Sequence, residues 1–315
     1  MKGGEKIMKK IIFLFFLVLF VFILPATVLG GNKPGACYVP STHITIQSAV
    51  NDTECSEIMV APGNWAGAIV NRQVQIKGTG NASITTGPLH VSGLIQGFRF
   101  VAGSDGSSVS HLNFYVDLVI MNGAAVNDVE IANNNFYNSV QAISNWRGND
   151  WNIHHNTIEG LRTRNGGGIG ILIGDYSGGV VENNVVSHNN ISGTLDTSYV
   201  GEGGGYNGSG IVLFADFRWG AAGALEIKNN NVVQNKVSLV SNNSNLVDVV
   251  AFEMTDTRDD EDDPVIFDNS VGFNDWRGTV IQMDLTPDNL EDVNNISRNL
   301  GDNRGHGLHP SILLP

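Results

Sequence analysis

The chain of 315 residues predicts an all-β fold, a right-handed parallel β-helix wound as a solenoid, with a short capping helix at its N-terminal end. Three observations predict it: a hexapeptide that recurs five times, a second family of short Val/Ile/Leu-rich runs between its copies, and a pattern near the start that suits a plug.

The hexapeptide reads IANNNF from Ile131, IHHNTI from Ile153, VENNVV from Val181, IKNNNV from Ile227 and IFDNSV from Ile266, each of the form apolar-x-x-Asn-x-apolar. The first and last residues suit an interior, and the asparagines between them (Asn134, Asn156, Asn184, Asn230 and Asn269) suit a bend, because Asn tolerates left-handed backbone that a β-branched residue resists. If coils stack about 4.8 Å apart, these side-chain amides fall into one hydrogen-bonded ladder. The Asn-rich composition is therefore read as architecture.

The second family comprises GIGILIGDY from Gly168, GSGIVLFADF from Gly208, VDVVAFEMTD from Val247 and GTVIQMDL from Gly278. These runs are too short for helices and are entered through turn residues, so each coil contributes at least two strands to different faces of a tube. The uneven spacing between coils places insertions in particular turns, the largest spanning Ser192 to Gly210.

The ends carry separate signals. Lys2, Lys6, Lys9 and Lys10 precede an apolar run from Ile11 to Leu24, and Val28-Leu29-Gly30 offers small residues for cleavage, so residues 1–30 read as a secretory signal and 31–315 as one β-helix domain. The run is short for a membrane span, and no later segment is apolar enough to be one. Net charge is −13, of which the first 30 residues contribute +3, leaving −16 on the remainder. With no basic stripe, that charge argues against nucleic acid as a partner. The two cysteines, Cys37 and Cys55, in a chain bound for an oxidising compartment, are expected to form a disulfide worth roughly 3 kcal/mol in the chain-entropy model. They lack the spacing and the His neighbours of a zinc motif.

Near the start, HITIQSAV is followed by ECSEIMVAPGNW and IVNRQVQIKGTG. The order TIQ-x-AV, a strand, APG-x-W and a strand ending in KG-x-G resembles the entry cap of the pectate-lyase-like right-handed β-helix superfamily. That resemblance implies a cap over about residues 37–65 in which an amphipathic helix places Ile46, Ala49 and Val50 against the first coil, with a C-terminal cap over about 290–315. A plug is needed because an open end exposes unpaired strand groups. The superfamily contains lyases, hydrolases, epimerases and noncatalytic surface proteins, so the fold does not choose an activity.

Chemistry concentrates where the second strand family ends. Aligning those ends places Asn145, Asp175, Asp216, Asp256 and Asp284 in one row, Trp146, Tyr176 and Phe217 in the next, and Arg147, Arg218 and Arg258 in a third. Carboxylates on adjacent coils repel by roughly 3 kcal/mol at the dielectric of a protein surface. Arg neighbours, a bound Ca²⁺ or a raised pKa would offset this. Aromatic rings beside charged groups suit a sugar chain lying along the tube, and the alternative is that these residues simply form turns. If the chain is an enzyme, Asp175, Asp216, Arg218 and Asp256 are the catalytic candidates, with Asn145, Trp146, Arg147, Tyr176, Phe217, Arg258 and Asp284 binding substrate. In the superfamily's calcium-dependent lyases carboxylates hold Ca²⁺ and an Arg acts as base; the longer segments of those lyases are missing here. Glu253 competes with Asp256 for the row, and His154, His155 and His188 form a lesser metal candidate.

The leading expectation is a secreted or cell-surface protein binding extracellular polysaccharide along one face. A polysaccharide lyase or glycoside hydrolase acting on uronate-containing chains, and a noncatalytic structural or adhesive surface protein, are the rivals.

Overall fold

A computed structural model describes residues 35–200, 206–220, 224–258 and 263–305. The expected leader and the end of the expected C-terminal cap (306–315) lie outside the described residues. The chain winds as a parallel β-helix. Its strands stack into sheets of ten, eight, seven and three, in which each successive strand comes from a later turn of the tube. Every strand pairing within these sheets is parallel, from Ala36 opposite Glu57 at one end to Val271 opposite Ile296 at the other.

The register explains why the sequence must repeat. In the ten-stranded sheet Val109, Ile131, Ile153, Val186, Val232 and Val271 lie one over another, and all are buried. In the eight-stranded sheet the row is Phe98, Ile120, Ile143, Ile171, Ile211 and Phe252; in the seven-stranded sheet it is Phe114, Phe136, Ile158, Ile191 and Val237. Each inward side chain packs on its equivalents above and below, about 4.8 Å away, so the core is a set of continuous apolar columns.

The asparagines form two ladders rather than the expected one. In the first, the amide nitrogens of Asn134, Asn156, Asn189, Asn235 and Asn274 each donate to the side-chain oxygen of the next member, at 2.9 to 3.2 Å, ending on Asn299. In the second, Asn145, Asn184, Asn230 and Asn269 do the same, ending on Asn294. The hexapeptide thus serves two corners. Its copies from Ile131 and Ile153 turn between the ten- and seven-stranded sheets, whereas those from Val181, Ile227 and Ile266 turn between the three- and ten-stranded sheets. Nor do the ladder residues themselves adopt the left-handed backbone. Except at Asn145 and Asn294, that role falls to the residue before, namely Asn133, His155, His188, Gln234, Phe273 and Arg298 at one corner and Asn183, Asn229 and Asp268 at the other, with φ between 55° and 61°. The buried amide bonds compensate a conformation that costs Gln, Phe or Arg about 1–2 kcal/mol.

At the N-terminal end the helix Ile46–Asn51 buries Ile46, Ala49 and Val50, as the cap pattern implied. Thr45 and Ser48 close a reciprocal capping box. The Cys37–Cys55 disulfide ties the first strand, Ala36–Val39, to the chain just past this helix. No helix among the described residues is long and apolar enough to cross a membrane.

Candidate functional site

The candidate residues sit where strands of the eight-stranded sheet run out into a turn: Gln141–Trp146, Gly167–Asp175, Tyr206–Ala215, Val250–Asp256 and Ile281–Thr286. Their register differs from the alignment read off the sequence. Asn145 stands opposite Ile173, Asp175 opposite Ala215, Ala215 opposite Asp256, and Asp284 opposite Glu253. The acidic row is therefore broken by a stagger. Asp175 and Asp256 are two coils apart with an alanine between them, which removes most of the repulsion that a continuous row would suffer.

Each carboxylate bonds within its own turn. Asp175 Oδ1 accepts from the backbone N–H groups of Tyr176 and Ser177 at 2.7 and 2.9 Å and from Ser177 Oγ at 3.1 Å. Asp216 accepts from Arg218 Nε and Nη2, both at 2.8 Å, and the bond to this carboxylate raises the Arg218 pKa above its ordinary value. Asp256 accepts from the backbone N–H of Arg258 at 2.9 Å and from its Nη2 at 2.7 Å. All three carboxylates are fully buried. The same Asp-x-Arg fork closes Asp275–Arg277, and Arg304 Nε reaches Asp302 at the same spacing, on other parts of the tube, so at Asp216 and Asp256 it is a turn device of this chain. The repeated spacing was visible in the sequence and is the signal that distinguishes the two roles.

Around this buried row the turn presents aromatic rings and guanidinium groups. Arg147 lies over Tyr176 at 5.2 Å, Arg218 over Phe214 at 5.6 Å and Arg258 over Phe217 at 4.2 Å. Trp146 is buried edge-on against Tyr176 and Phe214. Phe217 and Arg258 line a pocket of about 200 Å³ together with Glu226, Asp263, Val265 and Phe267. Trp219, which the sequence reading passed over, follows two residues after Phe217 and is 63% exposed. Three buried polar atoms in this region have no partner: Trp146 Nε1, Arg147 Nε and Asp175 Oδ2. Asn145 belongs instead to the second asparagine ladder.

Two side chains the stagger brings together are Glu253 and Asp284, opposite one another on neighbouring strands and both nearly buried. Glu253 Oε1 accepts from Thr255 at 2.6 Å and its Oε2 from Ser209; Asp284 accepts from Thr286 at 3.1 Å. The strands are about 4.8 Å apart, so it is Glu253, the rival to Asp256 in the sequence alignment, that shares a row with Asp284.

For metals, the only set of three or more mutually reachable ligands among the described residues is Cys37, His43, Asp52 and Cys55. No carboxylate cage for Ca²⁺ forms along the turn among those residues, and the acidic stretch after Arg258 falls partly outside them. His155 and His188 stack with parallel rings 4.9 Å apart, while His154 pairs with Glu130 at 3.1 Å.

No protein-family model matches the chain, and no curated protein does. Among solved structures it is similar to catalytic domains of GH87 α-1,3-glucanases. One, in complex with tetrasaccharides, is 11% identical over 84% of this chain and 65% of that one, with a TM-score of 0.30. Another, in complex with nigerose, is 12% identical over the same shares, with a TM-score of 0.27. The chain thus spans just under two thirds of the length of these structures.

Proposed function

We propose that this is a secreted or cell-surface β-helix protein, a single domain from residue 31 onward related to the pectate-lyase-like superfamily, that binds extracellular polysaccharide along the turn bearing Tyr176, Phe217 and their arginines. The carrying observation is the alternation of guanidinium and ring, Arg147 on Tyr176 and Arg258 on Phe217, next to a pocket of about 200 Å³. Sugar rings present apolar C–H faces that stack on aromatic rings and hydroxyls that meet charged groups. Because Asp216 and Asp256 already neutralise Arg218 and Arg258, the face offers oriented donors rather than free positive charge, which suits hydroxyl-rich chains as well as uronates. Arg147 makes no ion pair with a described residue and gives only Nη1 to Ser177 Oγ at 3.2 Å, so its guanidinium is the one whose charge is available to a carboxylate or hydroxyl of the ligand.

The test is binding to a panel of uronans and neutral glycans with and without Ca²⁺. Tyr176→Ala and Phe217→Ala should each weaken binding at least tenfold with melting temperature nearly unchanged; unaltered affinity in both variants removes the site. Glu253 opposite Asp284 favours a second reading, glycoside hydrolysis, which works through a pair of neighbouring carboxyls. New reducing ends that vanish in Glu253→Gln would establish it, and their absence with every glycan in the panel would leave binding alone.

A further inference from the structure

The N-terminal cap holds a constellation that the polysaccharide reading does not use. Cys37 lies on the first strand, His43 in the turn after it, Asp52 at the C-terminal end of the capping helix and Cys55 three residues on. The sequence gives these residues no zinc-like spacing, yet the fold brings one ligand atom of each within 4.8 Å of the others. We propose that, when the Cys37–Cys55 disulfide is reduced, these four side chains bind a zinc-type divalent cation, so that the cap has two interchangeable staples.

The geometry supplies the reasons. Zn²⁺ takes four N, S and O ligands in a tetrahedron with bonds of about 2.0–2.3 Å, which separates the ligand atoms by about 3.3–3.8 Å. His43 Nε2 is 3.1 Å from Asp52 Oδ2 and 3.8 Å from Cys55 Sγ, so one nitrogen already faces both. Opening the disulfide is the one movement required, because it lets the sulfurs part to the spacing a metal demands. The supporting bonds are present too. Thr42 Oγ1 donates to the Tyr38 carbonyl at 3.0 Å and lies 3.0 Å from His43 Nδ1, so it can accept from Nδ1–H once a metal takes Nε2. Asp52 Oδ1 accepts from the Glu54 N–H at 3.0 Å, so Oδ2, which pairs with His43 Nε2, is the oxygen turned toward the metal position. The His43 and Asp52 side chains are 17% and 40% exposed, which gives the ion a route in.

The chemistry balances. A dithiol reductant donates two electrons and two protons to the disulfide, yielding two protein thiols and its own cyclic disulfide. Zn²⁺ then displaces both thiol protons to solvent and binds two thiolates, the imidazole and the carboxylate. Either staple joins the first strand to the chain beyond the helix and keeps Ile46, Ala49 and Val50 against the first coil.

The test uses the full chain, oxidised and dithiol-reduced, titrated with Zn²⁺ and with Co²⁺ as spectroscopic probe. The reduced chain should take up one ion, show thiolate-to-Co²⁺ charge transfer with tetrahedral d–d bands, and regain resistance to proteolysis at the cap. The oxidised chain should take up none at this site. His43→Ala and Asp52→Ala should each weaken affinity about a hundredfold or more, and Thr42→Val about 10–100-fold. The proposal is overturned if the reduced chain binds no metal, if His43→Ala and Asp52→Ala leave affinity unchanged, or if the oxidised chain or a Cys37→Ser/Cys55→Ser double variant binds as tightly. It is equally overturned if reduction loosens the cap and zinc does not restore it.

Discussion

The asparagine corners and the aspartate turn bury polar side chains in the same tube by opposite means. An amide carries both a donor and an acceptor, so identical residues on successive coils complete one another, and Asn156 gives to Asn189 what it receives from Asn134. A carboxylate only accepts. It gains nothing from a copy of itself one coil away, so the turn staggers its aspartates around Ala215 and bonds each locally, with turn N–H groups on Asp175 Oδ1 and an arginine fork at Asp216 and Asp256. The lesson is that stacking aligns a residue type only where that type can bond to itself.

The largest expected effect comes from undoing the stagger. Ala215→Asp would set a carboxylate between Asp175 and Asp256 at about 4.8 Å from each, costing roughly 3 kcal/mol per neighbour, enough to unfold a domain of ordinary stability. Ala215→Asn carries nearly the same volume with a donor and should lose far less in urea denaturation. Equal losses would show that the alternation reflects space rather than charge.

Next in size, Asn156→Ala removes the acceptor of two bonds from Asn134 and the donor to the Ile131 carbonyl and to Asn189, and should cost about 3–5 kcal/mol. Combined with Asn189→Ala, the cost should be non-additive by about 1 kcal/mol, because the two share a bond. Asp256→Ala should cost about 2–3 kcal/mol, by freeing the Arg258 fork and the turn N–H. Additive behaviour along the ladder would break the contrast drawn above.

A smaller effect is pH-dependent. Burial, and secondarily the charge of Arg99, lower the His90 pKa from its ordinary 6.5. The neutral ring is the favoured form, with Nδ1 accepting from the Ser92 N–H at 3.2 Å. A depressed pKa means that the unfolded chain takes up the proton first, so this stabilisation is complete above about pH 6.5 and is lost as pH falls through the folded value. Thermal melts from pH 8 to 5 should show a decline that His90→Gln removes; an unchanged slope would assign the decline to other groups. Smallest of all, Tyr115→Ala breaks an exposed stack on Tyr137, with centroids 4.8 Å apart, and should cost about 1 kcal/mol or less.

The winding, the inward ends of the five hexapeptides, the plug residues Ile46, Ala49 and Val50, and the Cys37–Cys55 bridge were all legible in the amino-acid sequence. They depend on periodic burial and on local turn chemistry, and both are written in residue order. Three things were not legible. Hexapeptides of one pattern fall at two different corners, because the later coils turn at both, as VENNVV from Val181 and VSHNNI from Val186 do in succession. The acidic positions slip by one to three residues, because strand register is fixed by core columns such as Ile143, Ile171 and Ile211 rather than by the turn that follows. His43 and Asp52 meet the cysteines only because the capping helix folds back over the first coil. Burial patterns survive in one dimension, but distances between residues on different coils are set by stacking, which the order of residues alone leaves open.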